Sequence, residues 1–194
     1  MPPAAPPAPL FLTGFMGSGK TTLGRCLAAR LGWHFRDLDE RIEAAAGLPI
    51  PEIFARRGEG GFRTLEREQL ELIFAAAAGR RMVVALGGGT FAQPLNCDHL
   101  LAAGGCVVFL DVALEELLLR CAQVTNRPLF RDEASFRELY ARRLPFYRRA
   151  QVTVSVAAGA AESPEGLADR LLERVYEWAA HSAVPPRPSP SLQP

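Results

Sequence analysis

Leu10-Phe11-Leu12-Thr13-Gly14-Phe15-Met16-Gly17-Ser18-Gly19-Lys20-Thr21 is the stretch that decides the fold class. An apolar run leads into a loop with the spacing GxxxxGK[ST]. The helical periodicity of Leu23, Cys26, Leu27 and Leu31 follows, until Gly32 stops it. Strand, glycine loop and helix in that order let backbone N–H groups at a helix N-terminus wrap phosphate. In this pattern the lysine reaches the outer phosphates and the hydroxyl beside it meets Mg²⁺. Composition points to the same place. Of 22 basic residues Lys20 is the single lysine, so a chain committed to arginine keeps a compact ammonium where a planar fork would not serve.

Working outward, Trp33 to Asp39 alternates apolar and polar residues and reads as a second strand ending in Asp37-Leu38-Asp39. Phe62 to Ala78 has the helical period, and Met82 to Leu86 and Cys106 to Leu110 are buried-strand runs. Ala113 to Cys121 and Ser135 to Arg143 read as helices, and Val152 to Val156 as a last strand. Ser163-Pro164-Glu165 supplies an N-cap, a first-turn proline and an acidic first turn for a final helix ending near His181. Strands separated by helices predict right-handed crossovers and a parallel sheet covered on both faces, an α/β domain. Met1 to Pro9 and Ser182 to Pro194 are Pro-rich tails expected to be disordered, leaving residues 10–181 as one domain.

The whole chain has 194 residues, 48% hydrophobic and 22% charged, with a formal net charge of +1. That balance excludes the diffuse positive field of a general nucleic-acid binder. The longest nearly apolar stretch, Leu100 to Leu110, is too short to span a bilayer. No basic residue precedes an apolar segment at the N-terminus, so a cytoplasmic protein is expected. Cys26, Cys97, Cys106 and Cys121 are scattered without a CxxC pair and read as buried free thiols.

Three further clusters carry chemistry. On an extended segment Asp37 and Asp39 would point to one side, so one carboxylate can serve a metal and the other a substrate hydroxyl; the bland alternative is an acidic turn with Asp39 as a helix N-cap. Gly87-Gly88-Gly89-Thr90 lets a polar ligand lie on bare backbone, or is simply a turn. Arg63, Arg127 and Arg143 sit in contexts suited to bidentate capture of carboxylate or phosphate, although any one arginine among so many is an ordinary surface charge by default.

In this order the motifs resemble one family, shikimate kinase. The resemblance covers about Leu10 to Trp178. It rests on the phosphate loop, Asp37-Leu38-Asp39, Gly58-Glu59 with Phe62-Arg63 and Glu66, Gly87-Gly88-Gly89, Arg127-Pro128-Leu129, and Arg143 with Pro145 and Tyr147. It implies a P-loop nucleoside-monophosphate-kinase-like fold with a five-stranded parallel sheet flanked by helices. A substrate-binding region at about 39–63 and a mobile lid at about 122–134 go with it. The implied reaction passes the γ-phosphoryl group of ATP to the 3-hydroxyl of shikimate, with Mg²⁺, in a monomer of the chorismate pathway that binds neither nucleic acid nor membrane.

Residue by residue, the resemblance implies ATP binding by Gly14, Gly17, Ser18, Gly19, Lys20, Thr21 and Thr22, with Arg120 at adenine and Arg127 on the lid. Thr21 holds the metal, and Asp37 holds it through water. Arg63 and Arg143 clamp the substrate carboxylate, Gly87, Gly88 and Gly89 line the ring, and Glu66 orients Arg63. Asp39 meets the ring hydroxyls as base or orienter. Lys20, Asp39 and Arg127 form the catalytic set. Ala157 to Ala161 lacks the basic residue that some relatives place near adenine. The competing expectations are another kinase of this fold, such as a gluconate kinase, and a non-catalytic ATP-binding regulatory module.

Overall fold

A computed structural model of the chain describes residues 6–77, 79–122, 132–156 and 162–182. Arg127, most of the expected lid, Ala157 to Ala161 and most of both tails lie outside the described residues.

Five strands form one wholly parallel sheet: β1 (Leu10–Thr13), β2 (His34–Asp37), β3 (Met82–Ala85), β4 (Cys106–Val112) and β5 (Val152–Val156), in the order β2-β3-β1-β4-β5. β1 lies at the centre, with Leu10 in register with Val83 on one side and with Cys106 on the other. Its residues alternate between two cores, as the period of a strand requires. Leu10 and Leu12 face α1 (Lys20–Leu31) and α7 (Pro164–His181), packing with Leu23, Leu27, Leu171 and Val175. Phe11 faces the other layer, where Leu38, Ile53, Ile73, Leu100, Leu117, Phe136 and Tyr147 close over the sheet. These come from α2 (Leu38–Ala46), α3 (Ile50–Ala77), α4 (Pro94–Ala102), α5 (Leu114–Ala122) and α6 (Glu133–Tyr147). Each fully buried Leu or Phe contributes about 1.5–3 kcal/mol. The two-sided layering matches the sheet covered on both faces that the sequence predicts.

Several boundaries differ from expectation, each for a local reason. The second strand stops at Asp37 rather than running on to Asp39. The Asp37 carboxylate caps α2, accepting from the N–H groups of Asp39 at 2.9 Å and Glu40 at 3.3 Å. The argument that Asp37 and Asp39 share a face of one extended segment is therefore corrected, and so is the choice of Asp39 as cap. The helix expected from Phe62 starts at Ile50, broken by a kink at Gly58 (φ 65°, ψ −176°), a conformation that favours glycine. β4 runs on to Val112, and α6 continues through Pro145 to Tyr147.

Candidate active site

The loop after β1 opens at the C-terminal edge of the sheet, where open α/β sheets bind their ligands. Gly19 caps α1 in the left-handed region (φ 89°) and Lys20 begins the helix. Lys20 Nζ curls over the loop and donates to the carbonyls of Gly14 and Phe15, each at 3.0 Å, and to Ser18 Oγ at 3.3 Å. At the next residue, Thr21 Oγ1 donates to Asp37 Oδ2 at 2.6 Å. A hydroxyl and a carboxylate side by side are hard oxygen donors of the kind Mg²⁺ takes, together with phosphate oxygens and water. Among the described residues no three His, Cys, Asp or Glu side chains gather as a metal site. Thr22 is exposed on the first turn of α1. Arg120 donates from Nε to Glu116 at 2.8 Å and from Nη1 to the Gly17 carbonyl at 3.3 Å, so it stands against the loop.

Across the cleft, the loop after β3 supplies the triple glycine. A methyl group on Gly88 would lie 3.3 Å from the backbone nitrogen of Met16, so this loop rests on the phosphate loop. The two flanking glycines are pressed by side chains. A methyl on Gly89 would stand 2.9 Å from Arg143 Nη2 and 3.0 and 3.1 Å from Arg63 Nη2 and Nη1. One on Gly87 would stand 2.7 Å from Asp39 Oδ1. Two guanidinium groups and one carboxylate thus converge over a backbone that only glycine allows.

Each converging side chain is held by its neighbours. Arg63, on α3, donates from Nη1 to Glu66 Oε2 at 2.8 Å and from Nη2 to Glu59 Oε1 at 3.1 Å. Its buried Nε has no hydrogen-bond partner among the described residues, which leaves an edge of the fork for a further anion. Burial lowers the Arg63 pKa, but Glu66 and Glu59 outweigh it and the net shift is upward. Arg143, on α6, donates to the Gly88 carbonyl at 3.1 Å and lies over the Phe15 ring, 5.6 Å from its centroid. Its pKa is lowered, first by burial and then by Arg63, though a guanidinium remains a cation throughout. Tyr147, one turn on, donates its phenol to the same Gly88 carbonyl.

Asp39 is the exception in this cluster. Its carboxylate accepts no hydrogen bond among the described residues. Burial, then the charge of Asp37, push it up to about 6; Lys20 pulls it down, and Glu66 and Glu43 add to the rise. A carboxyl at that value is ionised at neutral pH yet still basic enough to take a proton.

Comparison with known proteins identifies the family. The shikimate kinase family model matches residues 16–176. The chain belongs to the shikimate kinase family. A shikimate kinase of Synechococcus elongatus is 44% identical over 177 residues, covering 90% of each chain. The solved shikimate kinase from Acinetobacter baumannii in complex with shikimate is 37% identical, with a TM-score of 0.79 over 87% of this chain and 92% of that one. The crystal structure of the enzyme from Aquifex aeolicus is 32% identical, with a TM-score of 0.76 over 90% and 99%. The fold is accordingly the P-loop, nucleoside-monophosphate-kinase-like fold of that family, and the activity class is ATP-dependent phosphotransfer. Neither alternative raised by the sequence is favoured by these matches.

Shikimate kinase motifs in the sequence led to every converging side chain above, with two gaps. Thr90 and Tyr147 touch the site's own residues but were given no role. Thr90 had as its signal only a hydroxyl directly after the glycine run, and Tyr147 stood in the motif with Arg143 and Pro145 without a task.

Proposed function

We propose that the chain phosphorylates the 3-hydroxyl of shikimate with ATP, giving 3-phosphoshikimate and ADP on the route to chorismate and the aromatic amino acids. The observation that carries this reading is the meeting of Arg63 and Arg143 over Gly89, with Asp39 over Gly87, against a phosphate loop that touches Gly88. A small acid with ring hydroxyls fits it: carboxylate on the two guanidinium groups, hydroxyl at Asp39, and the reacting edge toward Lys20.

In this reading Lys20 and the amides of Gly14, Gly17, Ser18 and Gly19 hold the β and γ phosphates, with Thr22 beside them. Arg63 and Arg143 fix the substrate carboxylate, and Gly87, Gly88 and Gly89 line the ring. The attacking hydroxyl oxygen bonds to the γ phosphorus, the bond to the β-γ bridging oxygen breaks, and the proton passes to Asp39. Phosphoryl transfer is loose, with charge spread over the γ oxygens, so fixed cations and amides supply most of the catalysis. Mg²⁺, held by Thr21 and through water by Asp37, neutralises charge on the phosphates when bound. Arg120 serves the nucleotide, and Arg127 reaches the transferring phosphate.

Residues 10–181 then form one kinase domain, with its substrate region at about 39–63, its lid at about 122–134, and tails at either end. The protein works as a cytoplasmic monomer without nucleic-acid or membrane partners. No helix among the described residues is long and apolar enough to cross a membrane. The test is coupled ADP release with ATP and Mg²⁺, comparing shikimate, gluconate and no acceptor. Release that depends on shikimate and on Mg²⁺ is expected. Release stimulated by gluconate alone, or by no acceptor, would overturn the reading.

A further inference from the structure

Gly87 marks the point where three oxygens meet. A methyl group there would stand 2.7 Å from Asp39 Oδ1, 2.8 Å from Thr90 Oγ1 and 3.3 Å from Glu66 Oε1. Thr90 is fully buried, and its hydroxyl donates to Glu66 Oε1 at 2.7 Å. Glu66, 1% exposed, accepts on its other oxygen from Arg63 Nη1 at 2.8 Å. A carboxylate so far from solvent needs a donor on each oxygen, and these two supply one apiece.

We propose that Thr90 is a positioning residue for the reaction, acting on the carboxylate clamp through Glu66. The hydroxyl fixes the plane of Glu66 so that Oε2 holds Arg63 over Gly89. The inference rests on the proposed role of Arg63. The backbone N–H of Thr90 donates to the Gly87 carbonyl at 3.1 Å, so the hydroxyl is carried on the same tight turn that presents the glycines.

The experiment compares Thr90→Val, which keeps the shape and removes the donor, with Thr90→Ser, which keeps the donor and removes a methyl. Steady-state kinetics are measured with shikimate, ATP and Mg²⁺. In Thr90→Val the KM for shikimate is expected to rise about tenfold with the KM for ATP unchanged. Thr90→Ser restores the KM for shikimate. If Thr90→Val is insoluble, Thr90→Ala removes the hydroxyl without new bulk and is read by the same measure. A hydroxyl-free variant with wild-type KM for shikimate overturns the proposal, as does Thr90→Ser failing like Thr90→Val. Wild-type protein that does not turn over shikimate instead overturns the functional reading, and the two failures are told apart by that control.

Discussion

Asp39→Asn should make the protein more stable while removing its activity, and the gain should depend on pH in a set direction. Burial and Asp37 move the Asp39 carboxyl from 3.8 to about 6. At 1.36 kcal/mol per tenfold change in proton affinity, that difference corresponds to about 3 kcal/mol, and solvent at the partly exposed side chain reduces it to about 2 kcal/mol. The sign follows from proton linkage. Below about pH 4 the group is protonated in folded and unfolded chains alike and costs nothing. Between about pH 4 and 6 the unfolded chain releases its proton first, so stability falls as pH rises; above that the full cost persists. Asn carries no such cost. Urea denaturation of wild type and variant should agree near pH 4 and diverge to about 2 kcal/mol in favour of the variant near pH 8. That corresponds to a melting temperature higher by about 4–8 °C. Loss of a general base should lower kcat by about 10²–10⁴-fold. A variant no more stable than wild type at pH 8, or equally favoured at both pH values, would refute the assignment of burial and like charge as the cause.

Three other changes probe separate parts of the site. Gly89→Ala puts a methyl 2.9–3.1 Å from three guanidinium nitrogens, so the clamp must yield by about half an ångström; the KM for shikimate should rise at least about tenfold while the KM for ATP holds, as steady-state kinetics would read. Lys20→Ala should lower kcat by about 10²–10³-fold in the same assay, with the fold retained by circular dichroism. Tyr147→Phe removes one of the two donors on the half-buried Gly88 carbonyl; thermal melting should show a loss of about 0.5–1.5 kcal/mol, and the KM for shikimate should increase as the glycine turn loosens.

Much of this architecture is legible in the sequence because it is written locally. The phosphate loop is contiguous, β1, β3 and β4 are nearly continuous buried runs, and β5 alternates buried Val152, Val154 and Val156 with exposed Thr153 and Ser155, the period of a half-buried strand. The elements missed are those whose signal is thin. α2 buries only Leu38 and Ile42, too few to display a helical period, and α4 starts after Gln93 with no side-chain cap. Gly58, Gly60 and Gly61 look like a loop, yet only Gly58 leaves helical geometry, so the front half of α3 was hidden. The site's internal links are tertiary. Thr90 and Glu66 are 24 residues apart, and Tyr147 and Gly88 are 59 apart, distances over which spacing carries no information. The resemblance to a family supplied the clamp, the base and Glu66 as the residue that orients Arg63, but no task for Thr90 or Tyr147.

Those links explain how an unpaired carboxylate persists beside three cations. Lys20 is turned onto the Gly14 and Phe15 carbonyls, Arg63 onto Glu59 and Glu66, and Arg143 onto the Gly88 carbonyl. Asp37 is divided between Thr21 and the start of α2. Were Arg63 to pair with Asp39 instead, the carboxyl would be pulled below its usual range and blocked from a substrate hydroxyl. Glu66 prevents this by holding Arg63 from the buried side, where a 2.8 Å charge-assisted bond is strong. Its own charge adds to the rise at Asp39, so one side chain both diverts the cation and keeps the base basic. The instability carried by Asp39 is therefore a consequence of the arrangement that leaves it available to a hydroxyl, and the stability gained by Asp39→Asn measures that arrangement directly.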